Sequence, residues 1–244
     1  AIGSNALAAL TSGAGNLAIG YQAGTAITTG LYNTAMGYEA LKTSTEMDFN
    51  TAIGYQALKV MSGSAGTGNN TAVGYQAGVA MTTGTQNTLL GRSAGAALTT
   101  GIENIYIGTY TGDESDDGNR NVAIGYAALS SNAGSDNIAI GMLANLSTTT
   151  YGNIAIGTRA LQTNTTGERN TAIGYSAMWD TDAGSNSLDS DDNIFIGYSA
   201  GGGTWADNKS EFNVGIGNYV MDAAMNAATD NIGIGYNTLS GLTT

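Results

Sequence analysis

Asn50-Thr51-Ala52-Ile53-Gly54-Tyr55-Gln56-Ala57-Leu58 is one statement of a nine-residue sentence that the chain repeats from end to end. It returns at 16–24, 33–41, 70–78, 87–95, 104–112, 121–129, 137–145, 153–161, 170–178, 193–201, 213–221 and 231–239, and a truncated copy, Ala1-Ile2-Gly3, precedes them. A short fixed period marks a solenoid or array, because each unit buries its apolar face only against its neighbours. The glycines serve as a ruler: between Gly20, Gly37, Gly54, Gly74, Gly91, Gly108 and Gly125 the usual step is 17 residues, and steps of 16 appear twice further on. Two helices do not fit such a period, whereas two short strands with two turns do. The expectation is an all-β parallel β-solenoid, a β-roll of about 14 short coils forming a single domain over 1–244.

Columns of the repeat carry the physics. The residue before the glycine is always apolar (Ile19, Met36, Ile53, Val73), and two places earlier stand mostly β-branched residues such as Thr34, Thr51, Ile105 and Val122. That alternation is the period of a strand with one buried face, and on this reading the Ile and Thr side is the buried one. The opposite side, mostly Ala followed by an unvarying Gly, is small enough for something to pack against it at close range. Leu89, Tyr106 and Phe195 break the small column. If that column faced a three-fold axis, three Tyr106 rings would meet there.

A third column is Asn16, Asn33, Asn50, Asn70, Asn87, Asn104 and Asn121, continued to Asn231. One Asn is a turn signal. In register at ~4.8 Å per coil, equivalent amides can bond along the stack as a ladder. Tyr21, Tyr38, Tyr55 and Tyr75 form a parallel aromatic column, interrupted by Arg92 and Thr109 and resumed at Tyr126, Tyr175, Tyr198 and Tyr236. Both columns read as architecture, each copy existing to stack on the next.

Composition narrows the chemistry. Cys, His and Pro are all absent, which removes disulfides, thiolate zinc sites and the usual general base. No Gly-Lys-Ser or Gly-Lys-Thr is present, and Gly201-Gly202-Gly203 lacks the strand-to-helix setting of a dinucleotide fingerprint. Ile53 to Leu58 looks like one hexapeptide of the acyltransferase β-helices, but the pattern is not continued and the histidine is missing. The chain reads as a non-enzyme with no cofactor. Net charge is −12, yet over residues 1–100 Glu39, Glu46 and Asp48 balance Lys42, Lys59 and Arg92, so the excess lies beyond. Without clustered Lys and Arg, nucleic acid and anionic lipid are not expected partners. No apolar run reaches membrane-spanning length and no signal peptide stands in the sequence. The array starts and stops within a copy, which reads as a segment of a longer fibrous chain.

Two acidic turns, 113–119 and 187–192, carry oxygen ligands that suit calcium, but their spacing matches neither an EF-hand loop nor the glycine-rich nonapeptide; solvated turns are the expectation. The longest inserts follow Gly174 and Gly197 and hold both tryptophans, Trp179 and Trp205. Stacked side by side, Trp179 and Trp205 with Asp180, Asp182 and Asp207 would form a sugar-binding surface, the ring faces covering C–H groups and the carboxylates bonding hydroxyls. The commoner use of such a ring is to fold its own loop back on the stack.

Asn121-Val122-Ala123-Ile124-Gly125 and its relatives resemble the head repeats of trimeric autotransporter adhesins, with their Asn-Ser-Val-Ala-Ile-Gly signature in a parallel β-roll. The Tyr-containing form is equally similar to repeats of bacteriophage tail fibres. The resemblance covers the whole chain, with departures: this Asn stands one residue nearer the Gly, and the coils are longer. It implies a side-by-side homotrimer, its Ala/Gly face the natural contact, forming a rod of roughly 65 Å at ~4.8 Å per coil. The implied function is a structural fibre or adhesion protein, extracellular, on a cell surface or a virion tail fibre, presenting patches to a cell-surface glycan or protein receptor. Two alternatives remain: a self-assembling extracellular filament, and an ice-binding solenoid. The latter needs a flat threonine array, whereas Thr28, Thr82, Thr99 and Thr165 lie in turns beside Gly.

Overall fold

A computed structural model describes residues 1–64, 66–181, 190–205 and 208–241. Every regular element among them is a three-residue parallel strand. The chain forms two compact units, 1–121 and 122–244. The first contains β1 (Leu17–Ile19), β2 (Thr34–Met36), β3 (Thr51–Ile53), β4 (Thr71–Val73), β5 (Thr88–Leu90) and β6 (Ile105–Ile107), each pairing with the next in sequence order. The second contains β7 (Val122–Ile124), β8 (Ile138–Ile140), β9 (Ile154–Ile156), β10 (Thr171–Ile173), β11 (Ile194–Ile196), β12 (Val214–Ile216) and β13 (Ile232–Ile234), laddered in the same way. Each unit is a parallel β-solenoid. The register follows the repeat, Thr34 on Thr51 and Ala35 on Ala52, so every column found in the sequence is a physical row. The opening copy adds the bridge from Ile2 to Ile19 and continues the stack beyond it, Leu7 N–H donating to Ala23 O and Ala9 N–H to Thr25 O, each at 3.1 Å.

Each coil holds one strand, not two. After the glycine, alternate residues take left-handed backbone geometry, as Gln56 (φ 55°) and Leu58 (φ 49°) do, and a chain that alternates in this way climbs as a turn staircase instead of a pleated strand. Its amides still bond the next coil: Leu58 N–H donates to Ala77 O at 3.0 Å, as Thr51 N–H does to Asn70 O at 2.8 Å in the strand. The stack therefore stays hydrogen-bonded without a second sheet.

The interior runs through the coils, and it reverses the face expected from the alternation. Ala52 at mid-strand is fully buried, as are Ala57, Leu58 and Met61 of its own coil, while Thr51 and Ile53 are partly open to solvent. The Ala column is thus the lumen of a single chain, not a surface for a second one. Two alanines leave the coil narrow, so the β-branched flanks have no room inside. Glycine answers a separate constraint: a Cβ on Gly20 (φ 133°) would stand 2.5 Å from the carbonyl oxygen of Gly37 one coil away. What packs against it at close range is the next glycine.

Large residues in the Ala column are matched by loss of bulk six places on. Leu89 is followed by Gly95, Tyr106 by Gly112 and Phe195 by Gly201, where coils with a mid-strand Ala more often carry Leu or Met. A Cβ at Gly112 would lie 2.5 Å from the Tyr106 ring, and one at Gly201 would lie 2.8 Å from Phe195. Tyr106 and Phe195 are completely buried by this exchange. Volume conserved within a coil keeps its girth, and thereby its register with the next.

The exchange makes a test by paired substitution. Tyr106→Ala is expected to cost about 3–5 kcal/mol through the cavity it leaves, and Gly112→Leu alone is expected to destabilise by about 1–3 kcal/mol or more through overpacking. Together they should recover part of the loss, because Leu58 already occupies the equivalent backbone geometry at φ 49°. Urea unfolding of the four proteins gives the coupling; additive losses would refute the exchange.

Candidate functional site

Among the described residues no ligand-sized cavity opens, and no group of three or more acidic side chains converges as a metal ligand set. In each unit the strand face presents two outward columns, the one before the glycine apolar throughout and the other threonine in β2 to β5 and β10 and apolar elsewhere. In the first unit Leu17, Leu90 and Ile105 are openly exposed and Ile19, Ile53 and Val73 are half-buried. In the second Ile194 and Ile216 are exposed, with Ile140, Ile156 and Ile173 half-buried. No charged side chain stands in either column. Thr34, Thr51, Thr71 and Thr88 occupy four consecutive rungs of the first unit. The turn threonines differ in spending their hydroxyls on the stack, Thr28 Oγ1 donating to Thr45 O at 3.1 Å and Thr99 Oγ1 to Asp116 O at 2.8 Å.

Behind that face runs the asparagine ladder. Asn33 Oδ1 accepts both the backbone N–H (2.9 Å) and the Nδ2–H (3.2 Å) of Asn50. Further on, Asn87 Oδ1 accepts from Asn104 N and Nδ2, each at 3.0 Å, and Asn104 Nδ2 also donates to Gly118 O at 2.8 Å. In the second unit Asn193 and Asn213 repeat the pattern. From Asn33 to Asn121 the column is fully or almost fully buried. Asn suits the place because its short side chain both accepts and donates; an aspartate would stack like charges and supply no donor. The column is structural.

The tyrosine column stands beside the strand face and is open to solvent. Tyr21, Tyr38, Tyr55 and Tyr75 stack at centroid separations of 5.1–5.2 Å with planes within 18°. Where the column changes residue type the stack continues by other means. The Arg92 guanidinium lies 5.8 Å from the Tyr75 ring and 5.3 Å from Tyr110, a cation over two aromatic faces. Tyr110 and Tyr219 enter from the place just after Thr109 and Asn218, and Tyr219 contacts Tyr198 and Tyr236 edge to face. Tyr32 on Phe49 forms a further stack, at 5.5 Å. Sequence reading passed over these; the available signals were an aromatic one place after the column at Tyr110 and Tyr219, and an aromatic just before the Asn of consecutive copies at Tyr32 and Phe49.

The two tryptophans do not share a surface. Trp205 is fully buried, its indole N–H donating to Gly201 O at 3.0 Å and its ring edge-on to Phe195, so both its apolar area and its polar atom are satisfied inside the coil. Trp179 is 38% exposed and donates to Gln162 Oε1. Asp180 accepts from the Thr163 hydroxyl at 3.1 Å, while Asp182, Asp189 and Asp207 lie outside the described residues. The paired-tryptophan sugar surface is thereby corrected: among the described residues Trp205 is inside, and Trp179 is exposed with the half-buried Asp180 next to it. The 113–119 turn serves as a rung, Asn119 Oδ1 accepting from Ile102 N–H at 2.8 Å.

One ionic node was also missed. Glu39 Oε1 lies 2.7 Å from Lys42 Nζ, and its Oε2 lies 2.9 Å from Lys59 Nζ and accepts from Gln56 at 2.9 Å. These donors, Lys42 foremost, hold the Glu39 carboxyl down to about 2. Compared with known protein families, characterised proteins and solved structures, the chain matches none. No helix among the described residues is long and apolar enough to cross a membrane.

Asn104→Ala would strand buried partners in both neighbouring coils and is expected to lower stability by about 2–5 kcal/mol, at ~1–3 kcal/mol for each orphaned group; an unchanged urea midpoint would make the ladder incidental. Glu39, depressed in the folded state, contributes stability that is present above its ordinary value of 4.5 and lost as pH falls towards about 2. Urea midpoints of the protein and of Glu39→Gln should therefore differ most above pH 4.5 and converge towards pH 2.

Proposed function

We propose that this chain is a structural fibre protein, extracellular, a β-solenoid segment that associates side by side as a homotrimer and offers its remaining faces to a cell-surface glycan or protein receptor, as a surface adhesin or virion tail fibre would. The carrying observation is the outward apolar column before the glycine on the strand face of each unit, joined on the other flank of the second unit by Val122, Ile138, Ile154 and Ile194. Exposed, uncharged and regularly spaced apolar area marks a protein–protein contact, and a partner must match a spacing of ~4.8 Å over successive rungs. A second copy of the chain has that spacing by construction. The contact is thus moved from the Ala side to the Ile and Thr side, since the alanines fill their own coil. The association would hold receptor-binding surfaces in many equivalent copies, where weak single contacts gain by avidity.

A second reading draws on Thr34, Thr51, Thr71 and Thr88, a four-rung hydroxyl row on the same face of the first unit, which is what a solenoid that orders water or ice would present. The isoleucines at the equivalent places of β8, β9 and β11 favour association instead.

Native mass by multi-angle light scattering at several concentrations tests the reading. A constant mass near three chains is expected, falling to one chain in Ile53→Glu/Ile140→Glu with circular dichroism unchanged. A single-chain mass for the unsubstituted protein overturns the trimer and turns attention to thermal hysteresis, while mass that grows with concentration indicates a filament.

A further inference from the structure

The tyrosine column does more than the stacking role requires, because its phenols are open to solvent and its rings are already in contact. Tyr21, Tyr38, Tyr55 and Tyr75 are 41–48% exposed, and Tyr175 and Tyr198 are 46% and 44% exposed. Neighbouring rings in the first group lie 5.1–5.2 Å apart, and Tyr175 and Tyr198 lie 5.3 Å apart with planes within 8°. Near-parallel rings at this separation on consecutive coils bring the rims of neighbouring phenols within reach of one another. The chain has no cysteine to intercept a phenoxyl radical, and of its two tryptophans Trp205 is buried and Trp179 is 38% exposed.

We propose that these columns are sites of oxidative cross-linking, in which a haem-peroxidase-type oxidant using hydrogen peroxide joins stacked tyrosines of consecutive coils into dityrosine within one chain. Each phenol gives one electron to the oxidant and its proton to water, leaving a neutral phenoxyl. Two phenoxyls form a bond between carbons adjacent to their oxygens. Each of those carbons then releases its hydrogen as a proton, while a proton returns to each oxygen. The product has lost two hydrogens, and one hydrogen peroxide has become two waters. Coupling is intramolecular because the backbone stack holds the second ring at contact distance, so the encounter costs no translational freedom. Only the outer rims of the rings need tilt together. The bond would staple coils 17 to 23 residues apart, as in Tyr21 to Tyr38 and Tyr175 to Tyr198, and no second copy of the chain is needed.

The test treats the purified chain with a plant haem peroxidase and hydrogen peroxide and maps joined peptides by mass spectrometry, with isotopically labelled and unlabelled chains mixed beforehand. Expected are dityrosine fluorescence, single-chain mobility on denaturing gels, and links two hydrogens lighter between Tyr21, Tyr38, Tyr55 and Tyr75 and between Tyr175 and Tyr198. Tyr38→Phe should remove every link at position 38 and keep those from Tyr55 to Tyr75 and from Tyr175 to Tyr198. Phe49→Tyr should create a new link between positions 32 and 49, whose rings already stack at 5.5 Å and 11°. The proposal is overturned if links spread equally to Tyr32 and Tyr151 in the unsubstituted chain, if mixed-isotope links dominate, or if the column tyrosines are oxidised without coupling.

Discussion

Coil-to-coil hydrogen bonding at one fixed separation is the constraint from which the rest follows. Once Thr51 N–H bonds Asn70 O, and Leu58 N–H bonds Ala77 O, each residue sits directly over its counterpart in the next coil and must tolerate a copy of itself at strand spacing. Few side chains do so without cost. Glycine succeeds where backbone meets backbone, asparagine where a buried amide can both give and accept, and tyrosine where a flat ring can lie on another. The repeat is a list of the residues that stack well on themselves. Tolerance of Tyr106 within a column of alanines shows the same rule from the other side, since the coil keeps its girth by giving up a side chain at Gly112.

A narrow interior has consequences for the surface. An ordinary half-buried sheet hides its large apolar residues and shows its small or polar ones. Here the lumen between Ala52 and Ala57 leaves no space for Ile53, so the larger residues face outward. The solenoid thus buries alanines at mid-strand against leucines and methionines of the turns, while the strand's own larger residues stay at the surface. Electrostatics plays a local part: Glu39 gathers Lys42, Lys59 and Gln56 along the side of the stack, beside the tyrosines.

Aromatic stacking shows how far a column can bend its own rule. At Thr109 and Asn218 the chain places the tyrosine one residue later, at Tyr110 and Tyr219, and in the first case a guanidinium bridges the gap. Face-to-face order is then exchanged for cation and edge contacts of comparable strength.

By itself the sequence determined the period, the parallel β-solenoid, the register and the identity of the Asn, Gly and Tyr columns, because a repeat that stacks on itself writes its neighbours into its spacing. It could not decide which side of the strand is inside: a period of two marks two faces and is silent about which one the closing turns enclose. Only the tertiary structure settled that, through the turns with left-handed backbone at Gln56 and Leu58 and the complete burial of Ala52 and Ala57. Nor could spacing tell that Trp205 turns inward while Trp179 stays out. Trp205 is held inside by its N–H bond to Gly201 O and its edge contact with Phe195, contacts across the coil that spacing along the chain does not record.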